Sequence, residues 1–248
     1  MSGQARLWRR KLSAQIERAP HLYRTMMLFR YRNGPFLRWI VSSGHDIVIE
    51  GFPRCANSFA NSAFLLANGW WGARVATHVH SPAQVVLAAR WGVPTILNIR
   101  TPSKAVPAFM AFAGKFNRVD AARLSVAEKR AWVHEQTARF ARFYETTNPL
   151  HASYVLATFQ QTTTDFGVVI DRVNETFGQD FERFDHTPEN IKKIFDRKGE
   201  HLSPDAHRDT FKAEYAEIYA EAGNRGPRGR AEAAYFRALQ LSGIAVPD

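Results

Sequence analysis

Short apolar runs alternate along the chain with longer segments whose apolar residues recur at helical spacing. The runs at residues 45–52, 93–100 and 152–159 are rich in β-branched residues and have the length of buried strands, and residues 74–80 form a possible short strand. Helical spacing predicts helices over residues 4–18 and 20–32, broken near Pro20, and then from about residue 57 to 69, from 82 to 91, across 102–146 and from 165 to 177. The last of these helices should end at Gly178. Strands that alternate with helices predict a three-layer α/β/α fold around a central parallel sheet.

Several of these helices carry end signals. Ser81 precedes Pro82 and the segment ends at Gly92, while Ser125 with Glu128 has the spacing of a capping box. Near the C-terminus the sequence is polar and helical, apart from "GNRGPRGR" at residues 223–230, which the glycines and proline predict to be a loop.

Charge separates the first forty residues from the rest. The formal net charge is +10, and residues 1–40 hold nine Arg or Lys against Glu17, which is nine minus one, or +8. We therefore divide the 248 residues into a basic helical extension, 1–40, and an α/β domain, 41–248. A basic arm suits nucleic acid, an anionic lipid surface or an acidic partner, and it is equally compatible with an ordinary solvated helix face. Of the specific partners we expect an anionic surface, not nucleic acid.

Composition limits the classes of protein further. No apolar run approaches the roughly 20 residues of a membrane span, and the N-terminus has basic residues without the apolar stretch of a secretory signal. The one cysteine, Cys55, rules out an internal disulfide framework and a multi-cysteine zinc site. We expect a cytoplasmic protein that needs no metal.

The segment that leaves the first predicted strand, "GFPRCANSF", keeps the frame of a phosphate-binding loop without its lysine. Asn57 stands where a Walker loop has lysine, and Asn61 stands where a tyrosine-phosphatase loop that began at Cys55 would need arginine. Successive backbone N–H groups and a helix N-terminus still suit an anion, with Ser58 as a hydroxyl donor. The residues expected to bind it are Arg54, Cys55, Ala56, Asn57, Ser58 and Phe59.

Four motifs and their order along the chain resemble those of the sulfotransferases that use 3′-phosphoadenosine 5′-phosphosulfate (PAPS). "GFPRCANSF" resembles their first signature except at Ala56, "ILNIRTPSKAV" resembles the second with Arg100 in its arginine position, "ATHVHSP" offers His78, and "FDRKGEH" resembles the distal R-K-G element. Where many members have a serine that bonds the 3′-phosphate this chain has Ala108, and Ser103 is a possible substitute.

The resemblance implies sulfuryl transfer from PAPS to a hydroxyl or amine of a small-molecule, lipid or carbohydrate acceptor, with PAP as product. Arg54 would stabilise the transferred group as a fixed charge, and His78 would be the general base because imidazole titrates near neutral pH. His80, which alternation would place on the same side of the predicted strand as His78, is the alternative base. Contacts to the 3′ end would come from Arg100, Arg197, Lys198 and Gly199. Two other functions stay open: a degenerate P-loop kinase or nucleotide-binding protein, and a non-catalytic module that binds anions or membranes.

Overall fold

A four-stranded parallel sheet lies at the centre of the molecule. The computed structural model describes residues 19–70, 72–116, 124–198 and 206–245. Within them the strands are β1 (Ile47–Gly51), β2 (Val75–Thr77), β3 (Thr95–Ile99) and β4 (Val155–Thr158). They lie in the order β2-β1-β3-β4, and every neighbouring pair is parallel. The predicted α/β class with a parallel sheet is therefore confirmed.

Ten α-helices occur in the described residues. They are α1 (Pro20–Tyr31), α2 (Asn57–Asn68), α3 (Pro82–Trp91), α4 (Pro102–Phe116), α5 (Val126–Thr147), α6 (Phe159–Thr164), α7 (Phe166–Phe177), α8 (Pro188–Lys198), α9 (Ala206–Ala220) and α10 (Arg225–Leu241). Short 3-10 helices cover Pro35–Trp39, Asn148–Ser153 and Ala222–Asn224. The predicted Ser81 cap, the Ser125–Glu128 capping box and the end of α7 at Gly178 are all confirmed.

Apolar side chains project from both faces of the sheet, and this explains why the strand sequences are continuous apolar runs. One face, with Ile49 and Ile96, packs in a cluster with residues of α2, α7 and α8. On the opposite face Leu97 and Ile99 pack with α4, α5, α9 and α10, and Val48 packs with α3. Helices thus cover both faces, as a three-layer arrangement requires.

Two predictions are wrong, namely the end of the second strand and the loop at 223–230. The second strand ends at Thr77 and not at residue 80. The predicted helical region 102–146 contains two helices, α4 and α5, and residues 117–123 between them lie outside the described part. The predicted loop at 223–230 belongs almost wholly to α10, which starts at Arg225. Pro227 lies in the first turn of that helix, where a missing N–H costs nothing, and Ala231, Ala234 and Ala238 are buried on its inner face.

The basic extension is described only from residue 19. Its helix α1 begins with Pro20 and packs beside α3: Arg24 donates from Nε to the Val41 carbonyl at 2.7 Å and its guanidinium lies 5.4 Å from the ring centre of Trp91. The helix predicted for residues 4–18 lies outside the described residues. No helix within the described ranges combines the length and apolarity needed to cross a membrane.

Candidate functional site

A cavity of about 850 Å³ opens where β1, β2 and β3 end. Parallel sheets commonly bind ligands at this edge, beyond the carboxyl ends of their strands. Its charged lining consists of arginines, joined by two histidines and an aromatic wall. These residues are Arg54, Arg100, Arg197, His78, His80, Phe36, Trp39, Phe59, Phe109, Phe112, Phe159 and Phe195.

The turn after β1 is tightly tied to β3. A Cβ on Gly51 would lie 2.3 Å from the main-chain oxygen of Asn98, so only glycine fits where these strands approach. The Asn57 amide donates to the carbonyls of Gly51 and Phe52, at 3.3 and 3.0 Å, and its oxygen accepts from Asn98 Nδ2 at 3.1 Å. The Asn57 side chain, at the position where a Walker loop has lysine, therefore holds the loop in place. Only the backbone N–H of Asn57 remains for an anion.

Four non-glycine residues have positive φ in the described chain, and all four line the cavity. They are Arg54 (68°), Ala56 (70°), His78 (59°) and His80 (53°). This conformation costs roughly 1–3 kcal/mol per residue and persists where surrounding contacts enforce it, often at functional sites. Its concentration in the two turns that follow β1 and β2 marks this edge of the sheet as the candidate site. The prediction that the two histidines alternate on a strand is wrong, yet both still reach the cavity.

Helix α2 begins at the cavity without a side-chain cap. Its N-cap residue is Ala56, which has no side-chain acceptor, and the next residues, Asn57 to Phe59, line the cavity. The first N–H groups of a helix have no partner within the helix and carry partial positive charge. This end of α2 therefore presents a surface suited to an anion.

Cys55 is not part of that surface. Its N–H donates to the Phe52 carbonyl at 3.3 Å, closing the turn, and its side chain is fully buried against the hydroxyl of Tyr144, 3.7 Å from Sγ. Burial raises the pKa of the Cys55 thiol to about 12. Cys55 is not among the residues that line the cavity, and desolvation outweighs the neighbouring charges that would lower its thiol pKa.

A chain of hydrogen bonds fixes the orientation of His78. The Thr77 hydroxyl donates to the Ile49 carbonyl at 2.8 Å, so it accepts from Nδ1 of His78 at 2.9 Å. With its proton on Nδ1, the neutral ring has an acceptor at Nε2, which lies 3.0 Å from the Ser58 hydroxyl. The acceptor nitrogen of His78 is thus held beside the N-terminus of α2.

His80 is held by a buried carboxylate. Glu50 is fully buried, and its carboxylate accepts the N–H groups of Gly51, Val79 and His80 at 3.3, 2.8 and 3.1 Å. The His80 ring donates from Nδ1 to the Gly51 carbonyl at 2.8 Å. Burial raises the pKa of Glu50 to about 7, against the opposite effect of the N–H donors. Glu50 therefore shapes the turn that carries both histidines.

Arg54 and Arg100 meet at one end of the cavity. The Arg100 guanidinium lies 3.4 Å from the Arg54 carbonyl and 3.9 Å from the ring centre of Phe159, while that of Arg54 lies 4.7 Å from the ring centre of Phe112. Among the ion pairs formed between described residues, none involves Arg100. Its half-buried charge contacts an aromatic face and a carbonyl, and burial lowers the pKa of its guanidinium.

The distal element is described in part. Arg197 lines the cavity near the end of α8, with its guanidinium 3.7 Å from the ring centre of Trp70. Lys198 is the last residue of that helix, and nothing further is described of its side chain. Gly199 lies outside the described residues. Ser103, the suggested substitute for the serine missing at Ala108, is exposed and is not part of the cavity lining.

The sequence did not indicate that Asn61 and Glu50 contribute to the site. Asn61 lines the cavity, is only 8% exposed, and its Oδ1 has no hydrogen-bond partner within the described structure. A buried acceptor without a partner costs free energy. For Glu50 a signal existed, since a lone carboxylate inside the apolar run "DIVIEGF" needs buried partners.

A scan against protein-family models, a search of curated proteins and a search of solved structures each found no match to this chain.

Proposed function

We propose that this protein is a sulfotransferase that binds PAPS at the cavity and transfers its sulfuryl group to a hydroxyl or amine. One observation carries the proposal: the uncapped start of α2, with its main-chain N–H groups and the nearby Arg54, and Arg100 at the tip of β3 line a single cavity. A nucleotide with anionic groups at both its 5′ and 3′ ends needs two such positions. The further assignment of the loop after β1 as P-loop-like belongs to the same proposal.

The residues present fit this nucleotide on three counts. The start of α2 with Arg54 suits the 5′ phosphosulfate, because backbone N–H groups and a guanidinium both favour dispersed negative charge. Arg100, which has no carboxylate partner in the described structure, suits the 3′-phosphate, with Arg197 as a second cation. The aromatic wall suits stacking with a purine base.

Each side chain then has a definite role. When bound, PAPS supplies a sulfuryl group whose bond to the phosphate oxygen breaks as the acceptor oxygen or nitrogen bonds to sulfur. Arg54 and the N–H groups of α2 stabilise the charge on the sulfuryl oxygens and the leaving phosphate. His78 accepts the acceptor's proton at Nε2, because Nδ1 is committed to Thr77. Ser58, which donates to that Nε2 here, turns its hydroxyl to the bound anion.

Calorimetry with PAP tests the nucleotide assignment. We expect the full chain to bind PAP, and Arg100→Ala to weaken binding by about 10- to 100-fold, since a charge-assisted hydrogen bond is lost. Arg172→Ala is the matched control, because Arg172 is also a half-buried arginine that donates to a main-chain carbonyl, that of Leu156, away from the cavity. Absence of PAP binding by the wild type, or equal losses in both variants, would contradict the proposal.

The other functions give different results in the same instrument. Binding of ATP with magnesium in preference to PAP would favour the degenerate kinase, and binding of neither would favour a non-catalytic module. For the base, we expect His78→Gln to keep PAP affinity within about threefold while it abolishes transfer of labelled sulfate from PAPS to phenol, alcohol and amine probes. Full transfer by that variant would shift the role to His80.

A further inference from the structure

Exposed apolar side chains are concentrated in one short segment. Nine large hydrophobic residues are exposed in the described chain, and five of them lie between residues 22 and 37. Phe29, at 69% exposure, is the most exposed of all nine. These five define what we term the N-terminal apolar surface: Leu22, Met26, Phe29, Phe36 and Leu37.

Helix geometry explains why these side chains face solvent together. Leu22, Met26 and Phe29 are separated by four and three positions, so they form one stripe along α1. The opposite side of α1 is anchored, because Tyr23 is buried and Arg24 is bonded to Val41. The stripe is therefore held outward by packing on the other side of the helix.

Positive charge surrounds this surface. Residues 19–45 contain arginines and no Asp or Glu. Arg30, Arg32 and Arg38 are exposed, and none takes part in an ion pair between described residues. The Arg32 guanidinium lies 4.2 Å from the ring centre of Phe29, so charge and apolar surface are in direct contact. Apolar side chains bordered by arginines are the pattern of a helix that lies in the interface of an anionic bilayer.

Aromatic contacts connect this surface with the cavity. Phe36 touches Tyr31 at the end of α1, with ring centres 5.8 Å apart, and Trp39 at 4.6 Å. Trp39 in turn lies 5.2 Å from the ring of His78, and both Phe36 and Trp39 line the cavity. The surface thus ends at the mouth of the candidate site.

We propose that the N-terminal apolar surface docks the protein on a bilayer that contains anionic phospholipids. The apolar side chains enter the interface and the arginines bind the anionic headgroups. Each arginine near such a surface is worth about a fivefold change in affinity, and the +8 charge of residues 1–40 has the sign that this requires. Docking in this manner brings the cavity mouth, at Phe36 and Trp39, next to the lipid.

Flotation of the full chain with vesicles tests the docking. We expect binding to phosphatidylcholine vesicles with about 30 mol% phosphatidylglycerol, and much weaker binding to phosphatidylcholine alone. Phe29→Glu should weaken binding at least tenfold, because it removes a large apolar group and repels the headgroups. The matched control is Phe236→Glu, at another exposed phenylalanine (45%) on α10, which should bind as the wild type does. Arg30→Gln should weaken binding up to about fivefold.

A site-specific label gives a positive signal. The single native cysteine, Cys55, is buried, so an environment-sensitive fluorophore will attach to Phe29→Cys or, as control, Phe236→Cys. Anionic vesicles should blue-shift the emission at position 29 and leave that at position 236 unchanged. Equal signals at the two positions, or wild-type flotation by Phe29→Glu, would overturn the proposal.

Two further outcomes would also overturn it. If wild-type protein does not float with anionic vesicles but elutes as a dimer that Phe29→Glu dissociates, the surface binds a second copy. If it binds free anionic headgroup phosphate but not vesicles, the arginines form a soluble-anion site. PAP affinity, measured for each variant, shows whether the fold and the cavity are intact, so failure here is distinct from failure of the sulfotransferase proposal.

Discussion

Replacing the buried carboxylate of Glu50 should change how stability depends on pH. Glu50 is fully buried and accepts three main-chain N–H groups from the turns after β1 and β2. Glu50→Gln keeps the shape but removes the titration, and it turns an amide NH₂ towards N–H donors. The variant should therefore be less stable than the wild type, by an amount that depends on pH.

The size of this dependence follows from the pKa shift. Burial raises the pKa of Glu50 from 4.5 to about 7, so between these values the folded state binds more protons than the unfolded one. Its contribution to stability is fully present below the unfolded pKa and is lost as pH rises through the folded pKa. Between about pH 5 and pH 8 the wild type should lose about 2–3 kcal/mol from this group.

Urea denaturation of the wild type and of Glu50→Gln measures this pH dependence of stability. The free energy of unfolding is determined at about pH 5 and pH 8, and the wild-type value minus the variant value is compared, which cancels the other titrating groups. We expect the deficit of Glu50→Gln to shrink by about 2–3 kcal/mol at the higher pH. A deficit that stays constant, or that grows with pH, would show that the three N–H donors outweigh burial and would refute the reasoning.

Three further predictions concern the loop and its supports. Gly51→Ala should destabilise the fold by about 1–3 kcal/mol, because the added Cβ would lie 2.3 Å from the Asn98 carbonyl oxygen. Gly34→Ala is the control and should cost little, since the atom nearest to its added Cβ is 3.7 Å away, and equal urea midpoints for the two variants would contradict this. Cys55 should react with iodoacetamide in urea and not in the native state, since burial raises its thiol pKa to about 12, and rapid native labelling read by mass spectrometry would be the contrary result. Tyr144→Phe should cost about 1–3 kcal/mol in thermal or urea unfolding, because the Asn98 carbonyl, 2.7 Å from the Tyr144 hydroxyl, loses that donor; an unchanged midpoint would mean that another donor replaces it.

Strand and helix order follows from local sequence. β1, β3 and β4 lie inside runs of apolar β-branched residues, and helices α3, α5 and α7 begin or end at the predicted residues Ser81, Ser125 and Gly178. Such signals act over a few residues, through backbone sterics and local hydrogen bonds, so they can be recognised in the sequence alone. The same locality explains the error at residues 223–230, where packing of an alanine-rich face outweighs glycine's poor helix propensity.

The arrangement of the candidate site was determined only by the tertiary structure. The sequence indicated the loop after β1 and an arginine at the tip of β3 as candidate site residues. That they share one cavity depends on the strand order, which places β1 beside β3. The sequence also left undecided which ring nitrogen of His78 is the acceptor, which a bond from Thr77 to the Ile49 carbonyl decides. Likewise it did not show that burial, and not the helix N-terminus, sets the pKa of Cys55. These properties depend on distances between residues far apart in the chain and on exclusion of water, which only the folded molecule fixes.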